Sequence, residues 1–131
     1  MTTFQLQIVT PDGLLFEGEA ERLVARTIDG DVCILARHTE YVTALGMGQA
    51  RVTIDGKVRK AACIGGMLSV SGGRVRIVAT TFEWAEEIDL ERAQRARERA
   101  EERLKQQKDT RDIQLAEAKL KRALVRLNAS R

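Results

Sequence analysis

The side chains best suited to binding chemistry in this chain are arginines in its last third. Arg92 and Arg99 are seven residues apart, about two turns of an α-helix, so a helix would present them on one face. Arg122 and Arg126 are four apart and would share a face of a second helix in the same way. If the two helices fold back on each other, these guanidinium groups can converge, which favours a polyanion such as a nucleotide triphosphate.

Known catalytic signatures do not occur in the sequence. His38 is the only histidine, and its polar surroundings favour a role in a turn. Ser69 and Ser71 are not part of a Gly-x-Ser-x-Gly motif, and there is no Gly-x-x-x-x-Gly-Lys phosphate loop. Cys33 and Cys63 form no Cys-x-x-Cys pair, and we interpret both as small core residues rather than zinc ligands. We therefore expect no catalytic residue, no metal site and no required cofactor.

Other interpretations of the arginines stay open at this point. The helices could simply be solvated, since three acid–base pairs have the i,i+4 spacing of exposed helices: Glu91–Arg95, Glu101–Lys105 and Glu117–Lys121. A nucleic-acid clamp is disfavoured because acidic residues interleave with the basic ones and no aromatic residue follows position 85 to stack on a base. A third interpretation is an adapter whose helices pack on partner proteins.

The composition changes abruptly near residue 85. All ten glycines, the single proline and all five aromatic residues precede that position. The first 85 residues contain nine basic and nine acidic side chains, whereas residues 86–131 contain thirteen basic and ten acidic ones, so the net charge of +3 belongs to the second part. We expect two domains, 1–85 and 86–131. The first contains the glycine and proline residues that separate short strands, and the second contains helix-forming residues.

The first domain has the pattern of an antiparallel β-sandwich. Phe4, Leu6 and Ile8 alternate with polar residues, and turn signals recur at roughly 8–12-residue intervals. The predicted turns and breaks are Pro11–Gly13, Asp29-Gly30, Asp55-Gly56, Gly65-Gly66 and Ser71–Gly73. Short strands are predicted between them, including Tyr41–Leu45, Ala50–Ile54, Val58–Ile64 and Met67–Val70.

The second domain has the pattern of an antiparallel two-helix hairpin. Asp89 is suited to cap the first helix, and Asp109 or Thr110 the second, after a polar link over residues 106–110. Each helix has one narrow apolar stripe: Leu90, Ala93, Ala96, Ala100 and Leu104, then Ile113, Ala116, Leu120, Ala123 and Leu127. Alanines bury little area, and each Å² of buried apolar area stabilises the fold by about 25 cal/mol. We therefore expect the contact between the two helices, the seam, to be weak and the hairpin to be able to open or detach.

No apolar run approaches the roughly 20 residues of a membrane span. The N-terminus also lacks the basic and then apolar pattern of a signal peptide. These two features predict a cytoplasmic location.

Several motifs, taken in order, resemble the epsilon subunit of F-type ATP synthases over nearly the whole chain. They are Val9–Gly13, Phe16–Gly18, Asp29–His38, Ile64–Val70, Val75–Ala79 and Ile88–Ala93, the last of which matches an Ile/Leu-Asp-x-x-Arg-Ala motif in full. The chain departs from the family at Cys33, which replaces a usual glycine, at Ala36, which replaces a usual proline, and at Thr39-Glu40, which replaces Ala-Pro. These departures concern one loop of the β-domain.

The resemblance implies a non-catalytic rotor subunit of a bacterial ATP synthase, peripheral on the cytoplasmic face of the plasma membrane. In the family, the sandwich binds the gamma subunit and rests on the ring of c subunits. The helices either fold onto the sandwich or extend along gamma into the alpha/beta catalytic head, where they block ATP hydrolysis. The interpretation from another class is a free-standing ATP-binding sensor or adapter protein.

Some family members bind ATP as a regulatory ligand between the helices and the sandwich. The pattern of that site falls on Glu83, Ile88, Asp89, Arg92, Ala93, Arg99, Arg122 and Arg126. The resemblance implies that the two carboxylates accept hydrogen bonds from adenine or ribose, the isoleucine packs on the base and the alanine leaves room for it. The four arginines would meet the phosphates, or else pair with acidic residues of the catalytic head.

Overall fold

The computed structural model describes residues 2–106 and 109–130, in which seven β-strands precede two α-helices. The strands are β1 Phe4–Thr10, β2 Gly13–Ala20, β3 Arg22–Thr27, β4 Gly30–Leu35, β5 Tyr41–Ile54, β6 Lys57–Ser71 and β7 Arg74–Trp84. A 3-10 turn at Ala85–Glu87 leads to α1, Leu90–Gln106, and α2 spans Thr110–Ala129. Gln107 and Lys108 of the predicted polar link lie outside the described residues.

The strands are hydrogen-bonded in the order β2-β1-β7-β6-β5-β3-β4, and β1 with β7 is the parallel pair while the other pairs are antiparallel. Ile8 of β1 and Ile34 of β4 are fully buried in the same core cluster, although four other strands lie between β1 and β4 in the sheet. The sheet therefore folds over on itself, and its two halves enclose the core between them. This is the predicted β-sandwich.

The fold-over depends on two long strands that the glycine pattern had divided. The predicted break at Gly65-Gly66 is wrong: β6 continues through both glycines, and β5 likewise joins the two strands predicted at 41–45 and 50–54. Gly65 has no paired residue in β5 or β7, but β6 keeps the same register with both neighbouring strands before and after it. Both glycines have positive φ, +71° and +121°, so they kink a strand rather than end it.

The two cysteines have different environments. Cys63 is buried in the sandwich core, as predicted, and this burial raises the pKa of its thiol to about 12. Cys33 is exposed on the edge strand β4, so its assignment to the core was wrong. Successive side chains of a strand point to opposite faces, and Ile34 next to Cys33 points into the core, so Cys33 points away from it.

The helical hairpin is folded onto the sandwich through small apolar side chains. α2 packs on β5 and β6, and α1 packs on α2. Ala129 of α2, Ala62 of β6 and Ile88 form a buried cluster with Val125 against it. Within the described residues, neither helix has the length and apolarity needed to cross a bilayer.

The predicted helix caps and stripes are largely present. The Asp89 carboxylate accepts a hydrogen bond from the backbone N–H of Arg92 at 3.1 Å, and Asp109 is the N-cap of α2. The alanines of the seam are the most deeply buried members of the stripes: Ala93, Ala100, Ala116 and Ala123. Leu90, predicted in the first stripe, is instead exposed.

Gly66 provides a test of the kinked strand. A Cβ atom at this position would overlap the carbonyl oxygen of Val78 on β7, at a φ that other residues rarely adopt. We expect Gly66→Ala to lower the free energy of unfolding by about 3 kcal/mol. Gly72→Ala, at a turn with φ of +57° and open space around it, should cost only about 1 kcal/mol. Urea denaturation measures both, and equal costs would contradict the argument.

Candidate functional site

A cleft of about 500 Å³ lies where the end of β7, the following turn and both helices meet. Its volume is in the range of small-ligand sites. The lining residues are Glu83, Glu87, Ile88, Asp89, Arg92, Ala93, Ala96, Arg99 and Arg126. Seven of the eight residues predicted for a nucleotide site are therefore brought together, from elements up to 43 positions apart in the chain.

Strand alternation and helix periodicity explain how these side chains reach one place. Phe82 and Trp84 of β7 are buried in the core, so Glu83 between them points to the opposite face, towards the hairpin. Arg92 and Arg99 project from one face of α1, two turns apart, as the sequence predicted. Ala93 is buried between the helices and keeps that wall of the cleft thin.

An ion pair crosses the cleft from α2 to β7. The Nε of Arg126 donates a hydrogen bond to Oε1 of Glu83 at 2.6 Å, and the two side chains are 28% and 35% exposed. This partial exposure means that solvent screens the pair, so its contribution to stability is modest. The contact nonetheless fixes one guanidinium at the mouth of the cleft.

Arg122 lies elsewhere in this folded arrangement. It lines a neighbouring groove between α2 and the sandwich, together with Lys121, Thr80, Thr81 and residues of β5 and β6. Of the two arginines predicted on the same face of α2, only Arg126 therefore reaches the cleft. A phosphate contact by Arg122 stays a prediction that requires its side chain to leave this groove.

Two lining residues, Glu87 and Ala96, were not found from the sequence. Ala96 belongs to the predicted apolar stripe of α1, and Glu87 precedes the Ile88–Ala93 motif, so both stood next to recognised features. Their position at the cleft follows from the 3-10 turn and from the way α1 lies on α2, which no local pattern specifies.

Sequence patterns also did not predict the contacts among Arg59, Trp84 and Glu86, which we call the Arg59 clamp. The guanidinium of Arg59 on β6 lies 3.8 Å from the centre of the Trp84 ring and donates hydrogen bonds to Oε1 of Glu86. The hydrogen bond from Arg59, more than any other cause, lowers the pKa of the exposed Glu86 carboxyl. The clamp ties the 3-10 turn to the sandwich directly before the residues that line the cleft.

Comparison with known proteins places this architecture among ATP synthase subunits. The family model of the ATP synthase delta/epsilon chain beta-sandwich domain matches residues 3–85, and that of its long alpha-helix domain matches residues 86–131. The ATP synthase epsilon chain of Caldicellulosiruptor bescii is 42% identical over 127 residues, covering 97% of this chain and 93% of that one. The epsilon chain of Shouchella clausii is 40% identical over 131 residues, covering 100% and 97%.

Solved structures agree with these matches. One is a chain in the cryo-EM structure of Euglena gracilis mitochondrial ATP synthase, which contains OSCP, F1 and the c-ring. It matches with a TM-score of 0.81 at 27% identity, and the match covers 92% of this chain and 77% of that one. A chain from the central stalk and c-ring of the Tetrahymena thermophila mitochondrial enzyme shares the fold, with a TM-score of 0.63 at 12% identity, covering 97% of this chain and 96% of that one.

The clamp predicts an acid-dependent contribution of Glu86. Because its folded-state pKa lies below the ordinary value of 4.5, the stabilisation is present above that value and is lost as the pH falls through the folded-state pKa. Glu86→Gln should therefore unfold at lower temperature than the wild type at about pH 7, and the two should converge in acid. Thermal unfolding followed by the fluorescence of Trp84 measures this. In an Arg59→Gln background the Glu86 substitution should have a much smaller effect, because the backbone hydrogen bond to the carboxyl remains; an undiminished effect would contradict the role of Arg59.

Proposed function

The chain belongs to the ATP synthase delta/epsilon chain family, and from this premise we propose that it is the regulatory epsilon subunit of the central stalk of a bacterial ATP synthase. Full-length similarity to epsilon chains makes it a non-catalytic subunit of that complex. The regulatory role is carried by one observation: the folded hairpin and the sandwich together form a cleft lined by three arginines.

The proposed partners are the gamma subunit and the ring of c subunits, both contacted by the sandwich. This is supported by the likeness to a chain from a structure that contains F1 and the c-ring. As part of that complex the chain would be a peripheral protein on the cytoplasmic face of the plasma membrane. When the hairpin extends, its helices would contact the alpha/beta head and slow ATP hydrolysis.

We propose ATP as the ligand that holds the hairpin folded. The cleft exists only while α1, α2 and the end of β7 stay together, because each of the three contributes charged side chains to its wall. In this proposal Arg92, Arg99 and Arg126, which line the cleft, bind the phosphates, and Asp89, next to Ile88, binds the base or ribose. Extension of the helices would separate these groups and release the ligand.

The energy needed for such regulation is small. A ligand that binds only the folded form stabilises it by RT ln(1 + [L]/Kd), which is about 1.4 kcal/mol at ten times Kd. That changes the ratio of folded to extended hairpin about tenfold. The seam is made of alanines and the crossing ion pair is partly exposed, so a shift of this size is enough to change the dominant state.

Calorimetric titration of ATP into the isolated chain tests the ligand. We expect saturable binding by the wild type and about tenfold weaker binding by Arg92→Ala, since one charge-assisted phosphate contact is lost. Arg95→Ala is the matched control, because Arg95 is also exposed on α1 but lies outside the cleft. Absence of binding at millimolar ATP, or an equal loss in both variants, would contradict the nucleotide site.

Copurification tests the place in the complex independently of any nucleotide. A tagged chain expressed with the gamma subunit of its own organism should retain gamma through gel filtration at a stoichiometry near one to one. A free-standing sensor or adapter would elute alone. This experiment decides the proposed partner even if ATP does not bind.

A further inference from the structure

The cleft contains its own substitute for a phosphate. Glu83 places a carboxylate oxygen 2.6 Å from Nε of Arg126, where a phosphate oxygen would lie if it bound this guanidinium side-on. Among the described residues, no other acidic side chain forms an ion pair with Arg126. A phosphate that binds Arg126 side-on, through Nε and one terminal nitrogen, must therefore displace Glu83.

The charges of the cleft lead to the same conclusion. Its lining has three carboxylates, Glu83, Glu87 and Asp89, against the three guanidiniums of Arg92, Arg99 and Arg126. The formal charge of the ligand-free lining is thus zero, which offers a polyanion little net attraction. A triphosphate therefore depends on direct contacts with individual guanidiniums, and a carboxylate that is bonded to one of them competes with it.

Glu83 is the carboxylate that competes with a ligand in this way. Asp89 accepts the hydrogen bond from the backbone N–H of Arg92 that caps α1, and this bond does not involve a guanidinium. Glu87 forms no ion pair with the arginines of the cleft among the described contacts. In the part of the chain that the structure describes, Arg92 and Arg99 form no ion pair, so Arg126 is the cleft guanidinium for which a ligand must compete with a carboxylate.

We propose that the Glu83–Arg126 pair is an exchangeable latch: it holds α2 on β7 when the cleft is empty, and an anionic ligand displaces Glu83 from Arg126. The proposal rests on the proposed function, because it describes how the same cleft is regulated. Arg126 has an anionic partner in both forms of the folded hairpin, and displacement frees the Glu83 carboxylate to accept a hydrogen bond from the base. Glu83 therefore lowers the affinity for phosphates while it supports the empty folded state.

Inorganic tripolyphosphate is the probe for displacement, because it carries the phosphate chain without the base that Glu83 would also contact. We expect Glu83→Gln to bind it about fivefold more tightly than the wild type, since Arg126 no longer has to leave a carboxylate. Calorimetry on the full chain measures the change. Unchanged or weaker binding by Glu83→Gln would overturn the inference.

Glu87→Gln is the matched control for this titration. It removes one negative charge from the same cleft, so any effect of net charge alone should appear equally in both variants. The inference requires Glu83→Gln to exceed Glu87→Gln, and an equal gain would overturn it. If neither ATP nor tripolyphosphate binds any variant, the nucleotide proposal and the displacement fail together; if the wild type binds and Glu83→Gln is unchanged, only the displacement fails.

The latch itself is tested without ligand, by hydrogen exchange. Peptides from α2 should exchange several-fold faster in Glu83→Gln and in Arg126→Gln than in the wild type, and the double variant should be no faster than the faster single one. Peptides from β6 serve as the internal reference and should not change. Unchanged exchange in α2, or additive effects in the double variant, would show that the pair does not hold the hairpin.

Discussion

The cleft depends on the packing of α2 against β5 and β6. Ala129 of α2 and Ala62 of β6, with Ile88 packed beside them, are small enough to let the helix backbone approach the sheet closely, and this approach brings Arg126 within hydrogen-bond distance of Glu83. Larger residues in this contact would hold α2 away from the sheet and separate the pair. The small side chains therefore set the geometry of the charged ones, and the site exists because two apolar surfaces fit.

The same packing buries mainly small side chains between the hairpin and the sandwich. Alanines contribute little buried area, and a partly exposed ion pair contributes little net energy. The sandwich is different, because large apolar side chains such as Leu6, Ile8 and Leu68 are fully buried between its halves. This difference between the two parts is what the proposed regulation requires, since in it the hairpin moves while the sandwich stays folded.

The Arg59 clamp holds the segment that connects the sandwich to the hairpin. It fixes the 3-10 turn to β6, and Ile88 after the turn is extended before α1 begins at Leu90. Movement of the hairpin relative to the sandwich is therefore most easily accommodated between the turn and α1. The lining residues Glu83 and Glu87 would remain with the sandwich, whereas those on the helices would leave with the arm.

Local patterns in the sequence were enough to predict the sandwich, the hairpin, the caps and the shared face of Arg92 and Arg99, because alternation, turn residues and helical spacing act between near neighbours. The other predicted lining residues came from the family resemblance. Local patterns were not enough for Gly65-Gly66, where a sheet that folds over itself requires a kink in a continuous strand, or for Arg122, which faces a different groove. The pairing of Arg126 with Glu83 and of Arg59 with Glu86 joins residues 43 and 27 positions apart. Only the tertiary structure decides such contacts, because they depend on how whole elements pack and not on the residues beside them.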